Sequence, residues 1–216
     1  MSIAREGWAL ILGLVIVGLA LIAFHFPWIG GAFIALAIFV AFFFRDPERE
    51  VPRDPRLVLS PADGKVIVVG SAPQGNPLGE GASQISIFLS VFDVHINRSP
   101  IAGRVAQVDY RKGGFRPAWD PRASLENEQN CVTVEDGARG VAFKQIAGLI
   151  ARRIVFRKKP GDAVEAGERV GMIKFGSRVD VFVPGDAQLL VSEGDRVSGG
   201  TSVLAQLPLP GSRAAS

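Results

Sequence analysis

Hydrophobic and polar positions divide the chain into two unlike parts. Residues 8–24 and 28–44 are apolar without a charge, and only His25, Phe26 and Pro27 separate the two runs. Each run would measure ~26 Å as a helix at about 1.5 Å per residue, close to the roughly 30 Å hydrocarbon core of a bilayer. The pattern predicts two short spans or one re-entrant hairpin. A cleaved signal peptide fits less well, because the segment is too long, lacks a small-residue cleavage site and runs on into a second apolar stretch. Arg5 precedes the runs and Arg45, Arg49 and Arg53 follow them, as a hairpin with both ends in the cytoplasm requires.

Residues 46–56 are charged and proline-bearing, the composition of a linker. The expected division is therefore an anchor of two short hydrophobic helices over 1–45, a linker over 46–56 and a β-rich domain over 57–216. Within that domain β-branched residues between glycine or polar breaks predict strands at 57–59, 65–69, 85–91, 103–110, 131–135 and 141–146. The first two flank Pro61-Ala62-Asp63-Gly64 and read as a hairpin. Residues 119–130 are polar and glycine-free, a loop or short helix. Toward the C-terminus the segment beginning Gly161-Asp162-Ala163-Val164 recurs as Gly194-Asp195-Arg196-Val197, each continued by a glycine (Gly167, Gly200) and a valine (Val170, Val203) at equal offsets. Such a repeat implies two copies of one supersecondary unit. It resembles the barrel-sandwich of biotinyl and lipoyl carrier domains, with Lys174, Phe175, Gly176, Ser177 and Arg178 on the crossover between the copies.

Composition adds little against this frame. The 216 residues suit one domain plus an appendage, and the net charge is +3. The tract Arg152, Arg153, Arg157, Lys158, Lys159 is a solvated face or, beside an anchor, a patch for anionic headgroups. Without stacking aromatics or a binding motif it does not indicate nucleic acid. The single cysteine, Cys131, permits no internal disulfide and fits a reducing compartment.

Three residues stand out as candidate chemistry. His95 is the one histidine beyond the anchor and lies where a strand runs out into an Asn/Ser/Pro turn; it is either a structural histidine or a proton carrier. Asp63 is either the acid of an Asp-Gly turn or a carboxylate that orients His95. Ser177, preceded by Gly176, has the arrangement needed for attack of a hydroxyl on the preceding carbonyl. The three would also compose a hydrolase triad, although Gly176-Ser177 lacks the second glycine of a nucleophile elbow. No metal-ligand spacing and no phosphate-cradling loop is apparent.

Taken together, the segments Ser60-Pro61-Ala62-Asp63-Gly64-Lys65-Val66, Asp93-Val94-His95-Ile96-Asn97-Arg98-Ser99-Pro100, Tyr110-Arg111-Lys112-Gly113-Gly114-Phe115, Glu126-Asn127-Glu128-Gln129-Asn130 and Phe175-Gly176-Ser177-Arg178 resemble the short prokaryotic form of phosphatidylserine decarboxylase. The resemblance implies self-cleavage between Gly176 and Ser177, giving a β subunit of residues 1–176 and an α subunit of residues 177–216. Ser177 would become a covalent pyruvoyl group, with neither metal nor PLP, and Asp63 and His95 would activate it. The pyruvoyl carbonyl would form a Schiff base with the lipid's serine amine, and His95 would return the proton after carbon dioxide leaves. Arg178 stands where the long form of the family has threonine. The implied location is the cytoplasmic face of the cell membrane, with a phospholipid as substrate. Arg111, Lys112 and Arg116, in a glycine-rich loop, are candidates for the phosphate. The rival reading is a membrane-tethered carrier or adaptor domain modified on Lys174.

Overall fold

The computed structural model describes residues 2–137, 139–149, 153–174 and 176–208; Arg152 and Phe175, both singled out above, lie outside them. Two compact units divide at Glu48/Arg49. In the first, β1 (Ser2–Ile3), α1 (Arg5–Ala23), α2 (Pro27–Phe43) and β2 (Arg45–Asp46) follow in order, with β1 antiparallel to β2. Glycines let the helices approach: a Cβ on Gly30 would sit 2.5 Å from the Gly18 carbonyl oxygen, the small-residue contact of apolar helix pairs. Among the described residues α1 is the helix long and apolar enough to cross a membrane, and α2 is a shorter apolar helix.

The second unit is almost entirely strand. Its elements are β3 (Leu57–Leu59), β4 (Gly64–Ser71), β5 (Ser83–Leu89), β6 (Ile96–Arg98), β7 (Gly103–Arg111), α3 (Ala123–Glu126), β8 (Gln129–Asp136) and β9 (Arg139–Ile146). They are followed by β10 (Ile154–Phe156), β11 (Ala163–Val164), β12 (Arg169–Ile173), β13 (Ser177–Val183), β14 (Gln188–Leu189), β15 (Arg196–Val197) and β16 (Val203–Gln206). A curled sheet of eight strands, ordered β11-β7-β8-β9-β13-β5-β4-β15, packs with the sheets β10-β12-β6 and β14-β16-β3. Ile87, Val132, Phe143, Val179, Val181 and Leu204 are among the residues of the shared core, each fully buried. β13 is buried along its whole length and lies between β5 and β9 in the sheet.

The expected hairpin at Pro61–Gly64 is corrected. β3 pairs with β16 and β4 with β5 and β15, so the Asp-Gly turn carries the chain from one sheet to another. Asp-Gly specifies a turn but not the partner of the strands it joins. Gly64 is needed at that turn for another reason: its φ is +153°, and a Cβ would sit 2.2 Å from the Phe88 carbonyl oxygen.

The C-terminal repeat folds as two equivalent units, and each clasps a segment of a second repeat that the sequence reading missed. Ser60-Pro61-Ala62-Asp63-Gly64-Lys65-Val66 recurs as Ser99-Pro100-Ile101-Ala102-Gly103-Arg104-Val105. Val66 donates to the Asp195 carbonyl and accepts from Gly194 N–H, both at 2.9 Å; Val105 donates to the Asp162 carbonyl at 2.9 Å and accepts from Gly161 N–H at 2.8 Å. Asp195 and Asp162 cap their own turns alike, accepting from Ser192 N–H and Lys159 N–H at 2.8 Å. The two Ser-Pro turns also bond to each other reciprocally, Leu59 N–H to the Pro100 carbonyl at 2.8 Å and Arg98 N–H to the Pro61 carbonyl at 2.9 Å. That exchange brings the Asp63 turn against the segment that carries His95.

Candidate active site

Strand register gathers the three candidate residues at one end of β5. Ser177, the first residue of β13, pairs with Leu89, the last of β5; on the other side of β5, Lys65 pairs with Phe88 and places Asp63 just beyond. The chain leaving β5 turns through Ser90 and Asp93, whose carboxylate accepts from the Ser90 N–H and Oγ at 2.8 Å, and leads to His95. His95 is in turn tied to the chain approaching Ser177, since its carbonyl accepts from Ile173 N–H at 3.3 Å.

Ser177 is fully buried, and its Oγ has no hydrogen-bond partner among the described residues. An unsatisfied buried hydroxyl costs about 1–3 kcal/mol, so the placement of Ser177 calls for an explanation. Alternation along β13 puts Ser177 on the face of Val179 and Val181, which belong to the core, and Arg178 on the opposite face. There Arg178 Nε donates to Asp180 at 2.6 Å and its Nη2 to Ser86 Oγ at 2.9 Å, while Ser124 Oγ donates to Asp180 at 2.5 Å. Arg178 thus anchors the strand from behind, and its side chain faces away from the Ser177 hydroxyl.

Gly176 adopts a left-handed φ of +55°, which an L side chain would resist. Its carbonyl is pressed against Gly148, where a Cβ would lie 2.0 Å from the oxygen. The segment bearing Gly148 is fixed by Asn127, fully buried, whose Nδ2 donates to the Ala147 carbonyl at 2.7 Å and the Arg116 carbonyl at 2.9 Å, and whose Oδ1 accepts from Arg116 N–H at 2.8 Å. Sequence reasoning assigned no role to Gly148 or Asn127.

His95 is completely buried, with Nδ1 2.9 Å from the Asp93 carbonyl oxygen. A carbonyl only accepts, so Nδ1 carries a proton; in the neutral ring Nε2 then holds the lone pair. The tautomer is therefore set by the backbone of Asp93. The Asp63 carboxylate accepts from Gly199 N–H at 2.7 Å and from Arg49 Nη2 at 2.8 Å. Burial pushes its pKa above the ordinary aspartate range and the nearby Asp93 charge adds to this, while the Gly199 N–H and the Arg49 guanidinium pull the other way. Two residues after His95, Asn97 Oδ1 accepts from Gln145 Nε2 at 2.8 Å and Gln145 Oε1 from Asn130 Nδ2 at 2.9 Å, a buried chain of amides that joins β6 to the eight-stranded sheet.

The remaining candidates lie elsewhere or are engaged. Arg116 pairs with Glu126 and, at 4.0 Å, with Asp120. Arg111 donates to the Leu125 carbonyl, and Lys112 is exposed. Lys158 of the basic tract pairs with Glu168 at 2.5 Å. Cys131 has its thiol pushed up to about 11 by burial, so it is protonated near neutrality and is no competing nucleophile. Among the described residues no group of three or more His, Cys, Asp or Glu is placed to hold a metal.

Comparison with known proteins finds relatives over most of the chain. The family model for phosphatidylserine decarboxylase matches residues 36–205. The phosphatidylserine decarboxylase proenzyme of Symbiobacterium thermophilum is 48% identical over 208 residues, covering 95% of this chain and 96% of the relative. The proenzyme of Solibacter usitatus is 51% identical over 184 residues (83% and 86%), and that of Geotalea uraniireducens 47% over 210 residues (95% and 97%). The match runs through both Ser-Pro turns, the His95 segment and the Gly176-Ser177 bond, and on that footing the chain belongs to the phosphatidylserine decarboxylase family.

Proposed function

We propose that this chain decarboxylates phosphatidylserine to phosphatidylethanolamine with a pyruvoyl group that it makes from its own Ser177. The observation that carries the reading is the Ser177 hydroxyl, buried without a hydrogen-bond partner among the described residues, beside a left-handed glycine whose carbonyl is packed against Gly148. These features fit a serine placed to attack the bond before it. The Oγ adds to the Gly176 carbonyl and the acyl group shifts from N to O. Loss of the Ser177 α-proton then breaks the Cβ–Oγ bond, releasing the Gly176 carboxylate. Water replaces the nitrogen of the resulting dehydroalanine, and ammonia leaves.

His95, with its proton on Nδ1, serves as the base toward the Ser177 hydroxyl and later as proton donor. Asp63 supplies the negative charge that favours the imidazolium. A pyruvoyl group contributes a carbonyl that condenses with the serine amine and draws off the electrons released with carbon dioxide. Neither a metal nor PLP enters this scheme. Arg111, Lys112 and Arg116 are assigned to the lipid phosphate; Arg116 directly precedes Pro117, which lines the pocket beside Gly176. The two repeats form a barrel-sandwich, and α1 with α2 inserts as a hairpin that keeps the second unit on the cytoplasmic face.

Intact-mass analysis of the purified protein tests the reading. The expected result is two chains, residues 1–176 and residues 177–216, the smaller blocked at its start, with Ser177→Ala remaining whole and inactive. An active preparation containing only unmodified 216-residue chains would overturn it in favour of a serine hydrolase.

A further inference from the structure

The pocket against Gly176 is a cavity of about 180 Å³ lined by Phe88, Val91, Pro117, Trp119 and Leu149, with Ser90 and Ala118 completing the wall. Its mouth is unusual for a protein surface. Of the lining residues Trp119 is 65% exposed and Leu149 57%, and Phe92, which follows the lining residue Val91 in the chain, is 65% exposed. Single exposed apolar residues are ordinary, but a set converging on one opening marks a contact surface. The tryptophan is braced: its ring stands edge-on to Phe88 with centroids 5.9 Å apart. Phe88 lies in β5 between Lys65 and Arg178, so the sheet that carries Ser177 also holds the rim.

The chemistry at the pocket floor identifies the occupant. Gly176, the residue before Ser177, lines this pocket, so a phospholipid held with its serine end at the Gly176-Ser177 bond would lead its hydrocarbon end out through this mouth. A braced tryptophan with apolar neighbours suits the membrane interface, where its ring has both an apolar and a hydrogen-bonding environment. We infer that Phe92, Trp119 and Leu149 enter the bilayer interface and dock the second unit on lipid through its own surface. This inference rests on the phospholipid reading of the site.

The test uses the full chain with Trp8 and Trp28 replaced by Phe. Of the three tryptophans in the sequence, Trp119 then reports alone. The protein is placed in phosphatidylcholine–phosphatidylserine vesicles containing acyl-brominated lipid. Trp119 emission should shift to the blue and lose most of its intensity to bromines near the glycerol end. With Trp119 also replaced by Phe, a reporter introduced as Leu149→Trp should be quenched in the same way. A reporter introduced as Leu190→Trp, at an exposed position next to β14 in another sheet, should not. Unquenched Trp119, or equal quenching at Leu190, would overturn the inference. Intact mass of the same samples keeps it separate from the proposed reaction. Quenching on a chain with unmodified Ser177 would sink the pyruvoyl reading alone, and an unquenched rim on a split chain would sink only the docking.

Discussion

Residues 60–66 and 99–105 form two turns with the same backbone, one carrying Asp63 where the other carries Ala102. Both begin with a serine whose Oγ donates to the carbonyl two residues on, Ser60 to Ala62 at 2.6 Å and Ser99 to Ile101 at 2.7 Å. Both end in a glycine with no room for a Cβ, 2.2 Å from Phe88 O at Gly64 and 2.2 Å from Glu135 O at Gly103. Only the first faces Arg49 and the Gly199 N–H with a carboxylate; the position equivalent to Gly199 in the other repeat is Ala166. What the halves share is scaffold, and what distinguishes them is the Asp63 carboxylate. A residue present in one copy and absent from its twin is not needed for the turn itself.

The largest effect expected from this comparison is chemical. Asp63→Ala, which gives the first turn the residue of the second, should slow self-cleavage by about 100-fold or more while circular dichroism stays unchanged. Ala102→Asp, at an exposed position, should leave cleavage at its normal rate. Cleavage by Asp63→Ala at the wild-type rate, followed by intact mass, would make the two turns functionally equal.

Next come the glycines, measured in a Ser177→Ala background so that one uncut chain unfolds. Gly64→Ala and Gly103→Ala should each destabilise by about 3 kcal/mol or more through clash and backbone strain. Denaturant midpoints that move for only one of them would break the equivalence of the halves.

The titration of Asp63 is a smaller and directional effect. Burial raises its native pKa above the unfolded value, so the native state binds that proton more tightly. The stability it contributes is fully present below the ordinary aspartate value of about 3.9 and is lost as pH rises through the native pKa. In the uncut background, Asp63→Asn should lack this decline, so wild-type stability relative to the variant falls with rising pH across the acid range. A difference independent of pH would show that Asp63 titrates as it does in the unfolded chain. Smallest are Ser60→Ala and Ser99→Ala, each expected to cost about 1 kcal/mol and to match each other in the same unfolding assay.

Much of this was legible in the sequence because it depends on local pattern. Alternation and β-branching located β5, β7, β8 and β9, and the Gly-Asp repeat was visible at equal offsets. Pairing was not legible: Asp-Gly between two strands looks the same whether they form a hairpin or part to different sheets. The Ser-Pro repeat was also readable, with four of its seven positions identical, but its copies differ at Asp63, the position that draws attention. Gly148 meets the Gly176 carbonyl and Asn127 holds the Gly148 segment through its side-chain amide, contacts between distant segments that nothing in a linear pattern reports.

The place of β13 in the sheet has a consequence for the history of the molecule. Both its neighbours, β5 and β9, and the partner of β15, β4, come from residues before Gly176. A chain cut after Gly176 therefore keeps its smaller piece as an interior strand, threaded into the larger one. As a single chain, that strand finds its slot by closing a loop. As a separate piece, it must find the slot by a bimolecular search, against aggregation of the sheet edges left open without it. The proposed cut would erase the route by which the fold is reached, so the durability of the cut protein would be a lifetime and not an equilibrium.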